Sequence, residues 1–309
     1  MNFRRLRYFT RIVDVGSLSQ AAEILHVAQP GLSQQLMLLE NEVNQKLVIR
    51  TSSGVVPTQA GKILYQHARS ILRQCSMAYD ALQNVSEQLT GQVCVGLAPG
   101  TAAQSLAVPL VEEVYKQYPG IILNLNESYG TILTDLLLTG QMDMAVLYDD
   151  QDISGLRFIS LMREQLYFLC PISLGRAQKS ISLREMARYE LFLPRAYSTV
   201  RKTVDKAFAS ENIRYKVKGE IESHVTLNSV LSAGLGCSIL PASAAKALSQ
   251  QTAVWIAKIK SPVAQNSLSF CTCEHLPLSQ PAEVVKSILL SLIAHDRQKS
   301  EVKKAVLVS

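Results

Sequence analysis

The chain has 309 residues, 48% hydrophobic and 18% charged, with a net charge of +6. That is enough apolar side chain for two ordinary globular cores and too much for a disordered chain. No uninterrupted apolar stretch reaches the ~18–20 residues of a membrane-spanning helix. The start, Met1-Asn2-Phe3-Arg4-Arg5, has neither the apolar segment nor the small-residue cleavage site of a secretory signal. The expectation is a cytoplasmic protein without membrane contact.

The six cysteines and five histidines are scattered, and the one close cysteine pair, Cys271 and Cys273, is C-x-C rather than C-x-x-C. Reduced thiols, no metal site and no cofactor are expected. Residues 1–90 carry nine Lys and Arg against six Asp and Glu, residues 91–296 carry eighteen of each, and residues 297–309 carry four against one. A basic excess at the N-terminal end suits contact with nucleic acid.

Residues 3–15 place Phe3, Leu6, Phe9, Ile12 and Val13 on one stripe, with Arg4, Arg5, Arg7 and Arg11 elsewhere, and Gly16 follows. That pattern predicts a helix closed by a left-handed glycine. Ser17 and Ser19 are candidate N-caps for a short helix, Gln20 to Leu25, whose Ala21-Ala22 centre admits a close helix neighbour. After a break at 26–29, Pro30 opens a further helix, Gly31 to Val43, with Leu32, Leu36 and Leu39 inward. His26, in the break, reads as a packing or surface residue. Two short helices after a scaffolding one make a helix-turn-helix, and residues 47–57, two β-rich runs around Ser52-Ser53-Gly54, read as its wing.

Thr58 caps a helix extended to about Leu89. Leu64, Ala68, Ile71, Cys75, Ala78, Leu82, Val85 and Leu89 recur at alternating spacings of four and three, the seam of a coiled coil and hence a candidate dimerisation surface. No hydrophobic neighbour within its own domain is expected to receive that seam.

From Gly91 the pattern alternates. Strands are predicted at 92–97, 121–126, 144–148, 165–170, 191–193, 216–220, 237–240, 254–259 and 268–274. Helices are predicted at 102–118, 132–139, 200–210, 225–233 and 281–295. This is an α/β pattern with a mostly parallel sheet in two halves, and it suggests a ligand cleft between them at strand C-termini and helix N-termini. The fold class expected is therefore α+β multidomain. It comprises a winged helix-turn-helix (1–58), a linker and dimerisation helix (59–89), a bilobed α/β domain (91–296) and a short basic tail (297–309).

Ser19, Ala21, Ala22, Leu25, Val27, the run Gln29-Pro30-Gly31-Leu32-Ser33, Gln35, Leu36, Leu39 and Glu40 together resemble the N-terminal signature of LysR-type transcriptional regulators. Arg50-Thr51, Gly54 and Pro57-Thr58-x-Ala60-Gly61 resemble that family's wing and linker-helix start. The segments 1–6, 47–50 and 98–103 are closest to its nitrogen-assimilation branch. The resemblance spans nearly the whole chain and implies that residues 91–296 are an effector domain of the periplasmic-binding-protein type. It implies a regulator, activator or repressor, that binds double-stranded DNA half-sites as a homodimer or tetramer and works with RNA polymerase. Members commonly carry a basic residue where Ser53 stands, an alanine where Gly31 stands and an aromatic where Val48 stands.

On this reading Gln29, Pro30, Ser33 and Gln34 face the major groove, where glutamine can pair with adenine. Ser17, Ser19, Arg4, Arg5, Arg50 and Thr51 are candidates for the DNA interface, the arginines and Thr51 for its phosphates. Gly100, Thr101, Thr131, Ser198 and Ser223 sit at helix starts, where inducers bind in relatives, but none of them has a Lys or Arg as an immediate neighbour in the sequence. Weak or absent dependence on a small-molecule effector is expected, as in the nitrogen branch. An inducer-responsive regulator of another pathway is the alternative. An α/β enzyme is remote: no G-x-S-x-G, phosphate loop or G-x-G-x-x-G occurs, and no catalytic residue is expected.

Overall fold

In a computed structural model of the chain, residues 2–52, 54–83, 89–148, 153–260 and 265–306 are described, with the backbone alone for 80, 81, 83, 101–104 and 296–306. The chain divides into two units, Met1–Glu87 with Leu138–Gln141, and Gln88–Leu137 with Met142–Ser309.

The first unit begins with helix α1, Phe3–Val15. Its N-cap Asn2 accepts from the Arg5 N–H, and Gly16, at φ +68°, ends it. Ser17 caps α2, Leu18–Ile24, so Ser19 lies inside that helix, exposed, and is not a cap. Helix α3, Gln29–Val43, starts without a side-chain cap. Phe9, Ile12, Leu18, Ala21, Ala22, Leu32, Leu36 and Leu39 close into one core, the two alanines providing the flat surface for close helix approach.

Strands β1, Val48–Thr51, and β2, Gly54–Pro57, pair antiparallel as the expected hairpin. It is seated by the Val55 N–H donating 2.7 Å to the Gly16 carbonyl. Gly54 makes that approach possible: its φ is +133°, and a Cβ there would lie 2.4 Å from the Gly16 oxygen. Thr58 opens α4, Gln59–Gln83, its hydroxyl donating to the Lys46 carbonyl and accepting from the Gly61 N–H. A side chain at Gly61 would run into the Leu47 carbonyl oxygen at 1.9 Å.

Two expectations change here. The seam of α4 does meet its own domain: Leu64 and Tyr65 pack on the core, Ala68 is fully buried, and Tyr65 and Arg69 both bond Asp14 of α1. Ala68 is thereby removed from any surface that could meet a second chain. Ile71 and Cys75 are half-buried, Ala78 and Leu82 exposed, and Val85 lies outside the described residues.

Glu40, 7% exposed, joins α3 to the wing. Its carboxylate accepts from the Leu47 N–H at 2.9 Å, the Val48 N–H at 3.4 Å and the Lys46 ammonium at 2.6 Å. Burial alone would raise its pKa, but the Lys46 ammonium and the two backbone donors outweigh burial and hold it below the ordinary value of 4.5.

The second unit contains β3 (Gly91–Leu97), α5 (Thr101–Gln117), β4 (Ile121–Glu127), α6 (Gly130–Leu138), β5 (Met144–Tyr148), β6 (Leu156–Pro171), β7 (Ser180–Ile181), α7 (Leu183–Met186), β8 (Glu190–Leu193), α8 (Thr199–Ser210), β9 (Lys216–Glu220), α9 (His224–Ser232), β10 (Ser238–Pro241), α10 (Ala242–Ser249), β11 (Val254–Ile259), β12 (Gln265–Cys273) and α11 (Gln280–Val306). The main sheet runs β4-β3-β5-β12-β6-β11-β7, with β10 also on β6. One core gathers β3, β5, α5, β12 and α11 around Val95, Leu110, Val146, Phe270 and Leu289. A second gathers β6, β8, α8, β10 and β11 around Phe168, Leu191, Phe208, Ile239 and Trp255. These are the two lobes.

The sheet is mixed rather than mostly parallel. β3, β4 and β5 are parallel, as is β7 with β11, but β6 and β12 run antiparallel to their neighbours; β8 and β9 pair parallel in a separate two-stranded sheet. β6 is sixteen residues long, far beyond 165–170. Its first half pairs β12 and its second half pairs β10 and β11, so it passes from one lobe to the other. Its first half mixes Arg157, Arg163 and Glu164 with apolar residues, which hides the alternation of a strand. α7 and α10 were not expected either, although Ser182 and Glu185 form a full capping box. α11 continues to Val306 rather than ending at His295, so the backbone of the basic tail is helical to that point.

Replacing Glu40 with Ala leaves the buried Leu47 N–H without an acceptor and should cost about 1–3 kcal/mol of N-terminal-unit stability. Because its folded pKa is lowered, the wild-type contribution is complete above about pH 4.5 and is lost as the pH falls through the lower folded value. Denaturant titrations of both proteins from neutral to acid pH should therefore converge; a constant gap would contradict the assignment.

Candidate nucleic-acid interface and effector cleft

The start of α3 stands clear of the domain. Gln29, Pro30, Gly31 and Gln34 are exposed, Ser33 is half-buried, and the same helix anchors itself through buried Leu32, Leu36 and Leu39. Its uncapped N-terminus leaves first-turn N–H groups for an outside acceptor. Gly31 meets nothing within 4 Å of an added Cβ, so no internal packing accounts for the glycine.

The wing brings Arg50 to this helix: its Nη2 donates 2.8 Å to Ser33 Oγ. Thr51, on the same strand, donates to the Gly54 carbonyl at 3.1 Å and so helps close the wing. Arg4 is exposed on α1. Arg5 is spent internally, with Nε on Gln35 Oε1 at 3.1 Å and Nη1 on Glu42 at 3.0 Å. It braces α1 on α3, which corrects its reading as a phosphate ligand. Ser17 is likewise engaged as a cap.

The second unit holds a cavity of about 40 Å³ between its lobes, lined by residues including Pro99, Tyr129, Tyr148, Ser198, Ser223 and His224. That admits only a few water molecules. Among the described residues no Lys or Arg lines this cavity, although Arg195, in the loop before α8, lies beside the Tyr197 hydroxyl. Ser198 is 6% exposed, makes no capping bond and faces this space. Ser223 is engaged as the N-cap of α9. Gly100 abuts the rim, where a Cβ would lie 2.6 Å from His224 and 2.9 Å from Ala244. Thr131 is exposed and does not line the cavity, and the side chain of Thr101 lies outside the described residues.

The aromatic and acidic groups of the cleft were not singled out in the sequence. Tyr129, just before α6, donates 2.5 Å to the Glu222 carbonyl, and Tyr197 donates to the Glu222 carboxylate. Burial, then the negative charge of Glu222, pushes the Tyr129 hydroxyl pKa up, so it remains a donor. Burial pushes the His224 pKa below 6.5. Glu164, on β6 between the lobes, accepts from Tyr148 at 2.5 Å and from Ser243 of α10 at 2.9 Å. An aromatic residue between a strand end and a helix start was the available signal for Tyr129. Among the described residues no three His, Cys, Asp or Glu side chains gather as a metal site, and no helix is long and apolar enough to cross a membrane.

Residues 3–62 match the bacterial regulatory helix-turn-helix of the LysR family, and residues 86–293 match the LysR substrate-binding domain. The chain belongs to the LysR family of transcriptional regulators. Over its full length it is 48% identical to the nitrogen assimilation regulatory protein nac of Klebsiella aerogenes, also covered in full. It is 46% identical to the protein of the same name from Escherichia coli, covering 95% of this chain and 96% of that one. Full-length OxyR from Pseudomonas aeruginosa superposes with a TM-score of 0.70 at 24% identity, over 95% of this chain and 94% of that one. CbnR, solved in complex with its target DNA, gives 0.53 at 21%, over 95% and 100%. Those two structures share the fold of this LysR-type chain.

Two measurements probe the two sites. Since nothing crowds Gly31, Gly31→Ala should stabilise the N-terminal unit by up to about 1 kcal/mol, read as a higher denaturation midpoint; a fall would mean that the helix start is packed. For the cleft, the lowered His224 pKa means that the unfolded chain takes up a proton first as the pH drops below 6.5, so stability falls there. His224→Gln should flatten that loss in thermal melts between neutral and mildly acid pH, and an unchanged slope would refute the buried, neutral imidazole.

Proposed function

We propose that this LysR-type regulator controls genes of nitrogen assimilation by binding promoter half-sites as a cytoplasmic homodimer or tetramer and acting on RNA polymerase there. Its full-length likeness to two nitrogen assimilation regulatory proteins supports the pathway. The observation that carries DNA reading is the exposed start of α3, with Gln29, Pro30 and Gln34 turned outward beside the wing. Ile71, Cys75, Ala78 and Leu82 remain on α4 as the row for a second chain; Leu82, 72% exposed, is the clearest sign of an uncovered apolar seam.

Regulation in this reading needs no inducer. A cavity of about 40 Å³ with no cationic lining residue among the described residues, and Tyr129 bonded across it, favours a closed cleft, leaving the amount of protein as the control. Ser198 favours the other reading, an inducible cleft, because its nearly buried hydroxyl is uncommitted and could receive a small carboxylate once the lobes part.

Selection of bound fragments from random DNA should return a two-fold symmetric motif, and Gln34→Ala should weaken that motif by ~1–3 kcal/mol while leaving random DNA unaffected. Equal loss on both would remove Gln34 from base reading. A metabolite that shifts the footprint would replace the constitutive reading with the inducible one.

A further inference from the structure

Ser33 lies on the exposed turn of α3, and on sequence grounds it belongs with the base readers. Its environment assigns it differently. Ser33 Oγ accepts the Arg50 Nη2 N–H at 2.8 Å, across seventeen residues, from the recognition helix to the wing. Arg50 is exposed, and among the described residues no carboxylate lies within ion-pair distance of it. The guanidinium is therefore oriented by a neutral oxygen that leaves its full charge available. A carboxylate in that place would have neutralised it.

We infer that Ser33 is a positioning residue, and that Ser33 and Arg50 form one phosphate-binding unit bridging helix and wing. The inference rests on the DNA-binding reading above. The chemistry is additive: the serine oxygen spends a lone pair on Arg50, which leaves its own O–H to donate. The guanidinium retains four further N–H groups, so a single phosphate can accept from both residues. Such a unit carries no base information. It fixes the angle between α3 and the wing on the duplex, and Gln29 and Gln34 then read within that frame. The wing contact also depends on register, because Arg50 pairs with Val55 in the hairpin, and Val55 is bonded to Gly16.

The test uses the full chain, the motif returned by selection and a random duplex, with Ser33→Ala, Ser33→Thr, Arg50→Ala and the double variant Ser33→Ala with Arg50→Ala. Arg50→Ala should weaken binding to both duplexes and reduce the salt slope by about one phosphate. Ser33→Ala should lose roughly three- to tenfold on both duplexes and return the same selected motif as wild type. Ser33→Thr, which keeps the hydroxyl, should restore affinity. In the double variant the serine change should cost clearly less than it does beside an intact Arg50, because its share in orienting the guanidinium is already gone. A changed base preference in Ser33→Ala, or losses that multiply in the double variant, would show that Ser33 acts independently of Arg50 and overturn the inference. Failure of the wild type to select any motif would instead count against DNA reading itself, separately from the behaviour of this pair.

Discussion

A buried carboxylate needs donors, and in the N-terminal unit that requirement sets the geometry of everything that faces outward. Glu40 sits near the end of the recognition helix and is satisfied by the backbone of Leu47 and Val48, the residues that lead into the wing. Shifting the wing by one residue would leave the carboxylate or an amide unpaired in an apolar core, at a cost comparable to the stability of a small domain's weaker elements. The wing is then fixed from two further sides, by Gly54 against Gly16 and by Gly61 beneath the Leu47 carbonyl. Arg50 reaches Ser33 because those three contacts leave the hairpin a single place to lie.

The C-terminal unit depends on a different constraint. One long strand, β6, carries the chain from one lobe to the other, pairing β12 over its first half and β10 and β11 over its second. Glu164 occupies the crossing and bonds to one residue from either side. The cleft is spanned by soft contacts, the Tyr129 hydroxyl on a backbone carbonyl and Gly100 against His224, which a ligand can replace only by offering better ones.

Much was legible in the sequence because it is local. The stripe of α1, the cap at Ser17, Pro30 at the start of α3, the turn before Gly54 and the cap at Thr58 each follow from side-chain spacing and backbone chemistry within a few residues, and the structure has them within one or two positions. The LysR signature lies in these same residues, and most of it proves to be packing: Ala21, Ala22, Leu32, Leu36, Leu39, Glu40, Gly54 and Gly61 are all explained by contacts inside the domain.

What the tertiary structure alone decided are the partners. Nothing in the spacing of α4 shows that Ala68 is buried while Leu82 stays bare, because one heptad seam can serve two neighbours in succession. Nothing local distinguishes Arg4, exposed on its helix, from Arg5, tied to Gln35 and Glu42. The direction of β6 and β12 depends on strands a hundred residues away, and the meeting of Tyr129 with Glu222 depends on how two lobes close. Helix periods, caps and turns are short-range and were fixed by the sequence itself. Sheet direction, cleft lining and the pairing of Arg50 with Ser33 join distant segments, and only the folded chain brings them into contact.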